Sequence, residues 1–251
     1  MDAEATVSHD TILGGRVRLA QPLQGYRAGV DAVLLAAACK ATSGSSVLDL
    51  GLGVGAASLC LAARVPGLHL TGIEVQRREA DLARQNGLDN GADLTVINVD
   101  LRHLPKEVRA RSFDHVITNP PYFEPRTRVA SARGPREIAL AETVPLEEWI
   151  DLSVKRLRPK GTLTVVQKAA RAHDLLRALD GRMGGVVLRP VIPREGRDAE
   201  LVLVQGRKGV RAAFRLAAPL ILHLGTEHLS DSEDYSEQAS RILRDAAPLD
   251  L

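Results

Sequence analysis

The sequence predicts an α/β domain built on a doubly wound, mostly parallel sheet. Two observations carry that expectation. From about Ser45 onward, short β-branched runs alternate with segments of helical periodicity, the pattern of strands whose crossovers cover both sheet faces. A glycine-rich stretch, "VLDLGLGVGAASL", then stands where a strand passes into a helix, as in folds that bind a ligand at the carboxyl ends of their strands.

Taken in order, "SVLDL" precedes the helical "GAASLCLAARV", and "LHLTGIE" precedes "QRREADLARQNGL". "LTVINVD" and "SFDHVIT" follow, and after a loop come "LEEWIDLSVKRL", "GTLTVVQK" and "AHDLLRALDG". "GVVLRPVIP" and "ELVLVQGRK" are joined by the short "REGRDA", which predicts a closing antiparallel pair. The whole reads as a Rossmann-like sheet of seven strands. Two flanks remain, neither large enough for its own core. Residues 1–43 carry an expected strand, "TILGGRVRL", the loop "AQPLQGYRAG" and an apolar helix over residues 31–39 with Asp31 as its N-cap. Residues 210–251 carry "AAPLILHL" and a last helix over residues 237–245. The expectation is one domain over residues 1–251: an N-terminal cap (1–43), a core (44–209) and a C-terminal extension (210–251).

The bulk numbers exclude several classes. The 251 residues are 45% hydrophobic and 25% charged with a net charge of only +2, which is globular and far from polybasic. Cys39 and Cys60 sit in apolar helical settings and read as buried thiols in a reducing compartment. The seven histidines have no metal spacing and there is no CxxC. The opening "MDAEATVSHD" has no signal-peptide apolar core, and the longest apolar run, residues 32–39, is too short to span a bilayer. These features point to a cytoplasmic, metal-free protein without a membrane segment, and leave its oligomeric state open.

The glycine loop places Asp49, Gly51, Gly53 and Gly55 at the strand–helix turn. Glycine allows positive φ and close backbone approach, and the helix start offers unpaired N–H groups. Gly51, Gly53 and Ala56 also fit the dinucleotide pattern G-x-G-x-x-[GA], so an NAD oxidoreductase is compatible with the loop alone. Asp49 weighs against it, because a carboxylate inside the turn would receive an ammonium but repel a pyrophosphate. Glu74 and Asp100 end the next two strands, suited to a ribose diol and to an adenine amino group. Three such acids fit a ligand with an amine, a ribose and an adenine.

"ITNPPYFEP" follows the fourth strand of the core. A strand can end without an asparagine, two prolines and two aromatics. Asn119, pushed to extended geometry by Pro120, should project at the carboxyl edge beside the glycine loop. With Asp49-x-Gly51-x-Gly53-x-Gly55, Glu74 and Asp100, the set Asn119-Pro120-Pro121-Tyr122 resembles the class I S-adenosylmethionine-dependent methyltransferases that methylate amino groups. The flanks, "QGYRAGVDAVLLAAA", "NPPYFEPRTRVASARGPREIALAE", "RAAFRLAAPLILHLG" and "DYSEQASRILRDAA", resemble the bacterial family that methylates the exocyclic nitrogen of adenine 37 in valine tRNA.

That resemblance implies S-adenosylmethionine as cofactor and tRNA as partner. Residues 26–31, with Tyr26, Arg27 and Asp31, would close over the cofactor. Asp49, Glu74 and Asp100 would hold its amine, ribose and adenine beside Gly51, Gly53, Gly55 and Asn119. Asn119, Pro120, Pro121 and Tyr122 would hold the target base, with Phe123 as a second wall. Arg126, Arg128, Arg133 and Arg136 follow the motif and offer phosphate contacts, whereas "KRLRPKG" and the group Arg207, Lys208 and Arg211 read as structural. Leu52 departs from the small residue usual in such loops and is expected to narrow the methionine side. The same chemistry on rRNA or on a protein glutamine remains an alternative, as does a catalytically silent SAM- or RNA-binding protein.

Overall fold

The structure, a computed structural model, describes residues 7–25, 27–121, 144–225 and 234–251. Strands β1 (Val7–Ile12) and β2 (Val17–Pro22) precede helix α1 (Val30–Ala38). The core follows as β3 (Ser46–Leu50), α2 (Ala56–Arg64), β4 (His69–Glu74), α3 (Arg77–Asp89), β5 (Leu94–Asn98), α4 (Lys106–Ala110) and β6 (Phe113–Thr118). Then come α5 (Leu146–Arg156), β7 (Leu157–Lys168), α6 (Ala172–Leu179), β8 (Met183–Ile192) and β9 (Leu201–Lys208). Short strands β10 (Arg215–Leu216) and β11 (Leu220–Ile221) and helix α7 (Glu237–Asp245) complete the chain.

The main sheet runs β10-β8-β9-β7-β6-β3-β4-β5. Strands β3 to β7 are mutually parallel, and β9 inserts antiparallel between β7 and β8. The seven expected strands are therefore present, and the two-residue β10 and β11 extend the β8 edge. Strand order reverses between β3 and β6, which opens a crevice at their carboxyl ends.

Alternation along the strands feeds two cores. Val47 of β3, Val166 of β7 and Leu201 and Leu203 of β9 pack with α1 and α2. Leu48 and Leu50, Leu163 and Val165, and Val202 and Val204 point the other way, toward α4, α5 and α6. Helix α1 is buried from Asp31 to Ala38, since it lies between α2, α7 and the sheet. Its two fully buried leucines each contribute about 2 kcal/mol. Cys39 and Cys60 are free and buried, and burial pushes their thiols up to about 11 and about 12.

Two expectations about the N-terminal flank need correction. "TILGGRVRL" is not one strand. Leu13, Gly14 and Gly15 take φ of 55°, 63° and 85° and fold it into the β1–β2 hairpin, a separate two-stranded sheet. Gly14 is obligatory there, because a Cβ would lie 2.3 Å from the Arg244 carbonyl oxygen. Asp31 is not the N-cap of α1 either. Gly29 holds that position, and Asp31 stands in the first turn.

The hairpin docks through two asparagines one turn apart at the end of α3, Asn86 in its last turn and Asn90 just beyond it. Asn86 accepts from Ala20 N at 2.8 Å and donates to Ala20 O at 3.1 Å. Asn90 does the same with Arg18, at 2.9 and 2.7 Å. Two side-chain amides thus stand in for the strand that would otherwise satisfy the β2 edge.

Candidate cofactor and amine site

The glycine loop is shaped by three different demands. Gly51 has φ 77° and sits against the only tryptophan, where a Cβ would approach Trp149 Cζ2 to 2.9 Å. Gly55 begins α2 at φ 91° with no side-chain cap, so the first N–H groups of that helix have no capping side chain. Around Gly53, at φ 56°, a Cβ would meet nothing within 4 Å. The loop opens at that point. Gly51 N and Leu52 N both donate to Ile73 O, at 3.0 and 2.9 Å, binding the loop to β4.

Leu52 does not narrow the opening as expected. It is only 5% exposed and turns down onto β4, where Gly72 leaves room for it. A Cβ at Gly72 would lie 2.4 Å from Leu52 Cδ2. The larger loop residue is matched by a missing side chain in the neighbouring strand.

The three acids differ in setting. Asp49 is buried on the α2 side and accepts from Ser58 Oγ at 2.8 Å. Desolvation, aided by the negative charge of Glu74, pushes its carboxyl up to about 7 against the pull of the Ser58 bonds. Glu74 ends β4 and is raised by burial, although it accepts from Gln76 N at 2.9 Å and Gly53 N at 2.8 Å. It therefore grips the open glycine of the loop. Asp100 lies two residues beyond β5, at the start of a 3₁₀ turn over Leu101–His103. Its hydrogen bonds from Arg102 hold it below the usual carboxylate range despite partial burial.

Asn119 follows β6 directly. Thr118 pairs in register with Leu50 of β3, and Thr118 Oγ1 donates to Leu50 O at 2.7 Å while accepting from Trp149 Nε1 at 2.7 Å. This closed buried chain fixes the end of β6 beside the glycine loop. Asn119 Nδ2 donates to Asp31 Oδ2 at 2.8 Å, which assigns the amide orientation and makes Oδ1, a buried atom, its acceptor. Pro120 O accepts from Gln167 Nε2 at 3.3 Å. The site thus gathers Asn119, Pro120, Asp31, Glu74 and the glycine loop at one sheet edge.

Arg27 is engaged with the hairpin, pairing with Asp10 at 2.6 Å and bonding Ser8 Oγ and Pro22 O. Pro121 follows Pro120 at the edge, half-buried. Tyr26, Tyr122, Phe123, Arg126, Arg128, Arg133 and Arg136 fall outside the described residues. The two basic groups read as structural sit at the amino edge of the sheet, away from the motif. Lys208 Nζ donates to Val154 O and Leu157 O at the end of α5, and Arg158 pairs with Asp114. Among the described residues no group of His, Cys, Asp and Glu could hold a metal ion, and no helix is long and apolar enough to cross a membrane. Sequence reading missed Trp149, Thr118 and Gln167. Only the lone tryptophan carried a signal, as a residue whose N–H needs a buried partner.

A family model described as the methyltransferase small domain matches residues 29–187. The chain is 34% identical over 118 residues to the tRNA1(Val) (adenine(37)-N6)-methyltransferase of Flavobacteriaceae bacterium (strain 3519-10), covering 45% of this chain and 50% of that protein. It is 29% identical over 237 residues to the protein of the same name from Porphyromonas gingivalis, covering 86% and 91%. The matched region thus spans half the length of the first relative and most of the second. Among solved structures, a predicted O-methyltransferase of Agrobacterium tumefaciens superposes with a TM-score of 0.71 at 28% identity, covering 88% of this chain and 99% of that one. The T. thermophilus 16S rRNA N2 G1207 methyltransferase, in complex with AdoMet and guanosine, has a TM-score of 0.55 at 20% identity, covering 80% and 50%. That second likeness is one of fold. The span from α1 into β8 holds the glycine loop, all three acids and the Asn119-Pro120 edge, and on that match the chain belongs to the methyltransferase small domain family.

Proposed function

We propose that the protein transfers a methyl group from S-adenosylmethionine to the exocyclic N6 of an adenine in tRNA, with adenine 37 of a valine tRNA the first candidate. The supporting observation is the placement of Asn119 and Pro120 beside the glycine loop, through the pairing of Thr118 with Leu50. The relatives named above carry that activity in their names.

The described residues suit the cofactor. The loop is open at Gly53, the α2 N-terminus has no side-chain cap, and Glu74 braces the loop from behind. In this reading Glu74 takes the ribose, Asp49 the amine and Asp100 the adenine, with Tyr26 assigned to the covering segment. Bound adenosylmethionine supplies the electrophile, a methyl carbon on a positively charged sulfur. The chain supplies orientation. An exocyclic amine is a poor nucleophile because its lone pair is delocalised into the ring. Asn119 Oδ1 and Pro120 O can each accept one of its N–H bonds, which aims the lone pair and stabilises positive charge as it develops. The methylated nitrogen is cationic and loses its proton readily, so no charged base is needed. Tyr122 and Phe123 are assigned to stacking on the base, and Arg126, Arg128 and Arg133 to backbone phosphates. An adenine in an anticodon loop reaches such an edge only when unstacked. In this reading the enzyme works in the cytoplasm with its tRNA.

The test is methyl transfer from labelled S-adenosylmethionine to unmodified total tRNA, with nucleoside digestion and mass spectrometry. N6-methyladenosine is expected, falling at least about 100-fold in Asn119→Ala with the cofactor still bound. Cofactor binding without transfer to tRNA would move the acceptor to rRNA or a protein glutamine.

A further inference from the structure

Both acceptor atoms of the site are held from behind by side chains that the motif does not include. Asp31 is 7% exposed and its two oxygens have separate tasks. Oδ1 accepts from Gly29 N at 3.1 Å and Ala32 N at 2.9 Å, which fixes the carboxylate in the first turn of α1. Oδ2 accepts from Asn119 Nδ2. Gln167, fully buried near the end of β7, is divided in the same way. Its Oε1 accepts from Lys168 N at 2.8 Å and its Nε2 donates to Pro120 O.

Resting on the function proposed above, we infer that Asp31 and Gln167 are positioning residues for methyl transfer, presenting Asn119 Oδ1 and Pro120 O to the two N–H bonds of the target amine. An asparagine amide can rotate by half a turn at little intrinsic cost, and in the wrong orientation it would offer N–H to N–H. A carboxylate oxygen accepts and cannot donate, so Asp31 permits only the orientation that leaves Oδ1 as acceptor. The hydrogen bond to Asp31 also polarises the amide and strengthens Oδ1 as an acceptor. Gln167 acts on the second acceptor through a longer bond. It occupies one lone pair of the Pro120 carbonyl and fixes the plane in which the other is presented. This role differs from the cofactor contact that sequence resemblance implies for Asp31.

Asp31→Asn separates the two roles with little disturbance of the helix. It keeps an oxygen for Gly29 N and Ala32 N and turns the group facing Asn119 into an N–H donor, so the Asn119 amide is driven to flip. The expected result is a kcat for tRNA methylation about 10- to 100-fold lower, the loss typical of a misplaced reacting group. The KM for tRNA and the Kd for S-adenosylhomocysteine, by calorimetry, should stay within about twofold of wild type. Gln167→Met should lower kcat by a smaller factor with the same unchanged binding. A raised Kd with unchanged kcat would make Asp31 a cofactor ligand and overturn the inference.

A second readout needs no activity. The Asn119 side-chain NH₂ pair in a ¹⁵N-correlated NMR spectrum, assigned by its loss in Asn119→Ala, should shift in Asp31→Asn. If it does not move, the contact is absent in solution and the inference fails. If it moves while wild type methylates no tRNA, the acceptor assignment fails and the geometry stands.

Discussion

The two ends of the same sheet are built on opposite terms. At the amino edge Asp114, Arg158, Arg156 and Lys208 all have structural partners. Burial alone would raise Asp114, but hydrogen bonds from Ser46 and the Arg158 guanidinium outweigh it and hold the carboxyl low. Lys208 and Arg156 end helices by donating to their last carbonyls, where cations answer the helix dipole. At the carboxyl edge, Asp49 and Glu74 are both pushed up by burial, and the charge of Glu74 adds to the rise at Asp49. Three glycines there hold positive φ within five residues. One end pairs its charges within the fold, although burial and neighbouring cations lower Arg156 and Lys208. The other stores unfavourable terms that a cationic, hydroxylated ligand would relieve.

Four changes sharpen or break this contrast. The largest stability loss is expected from Gly72→Ala, which drives a methyl into Leu52 beneath the loop and should cost about 2 kcal/mol by denaturant unfolding. In a Leu52→Ala background the same change should cost under about 0.5 kcal/mol. Equal costs in the two backgrounds would mean that Leu52 does not fill that space.

Asp49→Asn should act in the other direction. Because the folded carboxyl lies near 7 and the unfolded one near its ordinary value, the folded state binds the extra proton between them. Stability from this group is therefore lost as pH rises through about 7. A permanently neutral asparagine should gain about 4 kcal/mol over wild type at pH 8 and under about 1 kcal/mol at pH 4. Thermal melts at the two pH values measure this, and a pH-independent difference would put the raised carboxyl in doubt. Methyl transfer should fall in the same variant.

The smallest effect belongs to the amino edge. Lys208→Met should lose about 1 kcal/mol with the helix-end bonds, and Arg158→Ala, whose side chain is largely exposed, no more than about 0.5 kcal/mol. Neither should change methyl transfer. A drop in turnover without a drop in stability would bring RNA to that end as well.

Much of this was readable in the chain because it is local. Strand–helix alternation, the glycine loop and the Asn-Pro-Pro turn are each set by residues within a few positions. What escaped is set by distance. The turn in "TILGGRVRL" is local, but the docking that gives the hairpin its place depends on Asn86 and Asn90, more than sixty residues on. Leu52 looked like an obstruction because its counterpart, a glycine twenty residues later, belongs to the neighbouring strand. Asp31 has the sequence context of a helix cap, and only the folded chain brings it to Asn119, 88 residues away. Gln167 in "TVVQKAA" has no sequence signal for a partner at Pro120.

Asn86 touches more than the hairpin: its Nδ2 also donates to Val54 O, inside the glycine loop, at 2.9 Å. One buried amide therefore binds the edge of β2 and the floor of the cofactor loop together. Hydrogen exchange at the Ala20 amide requires Asn86 to let go, and a ligand that steadies the loop makes that release rarer. Slowed exchange in the hairpin on adding S-adenosylhomocysteine would report cofactor occupancy from outside the crevice.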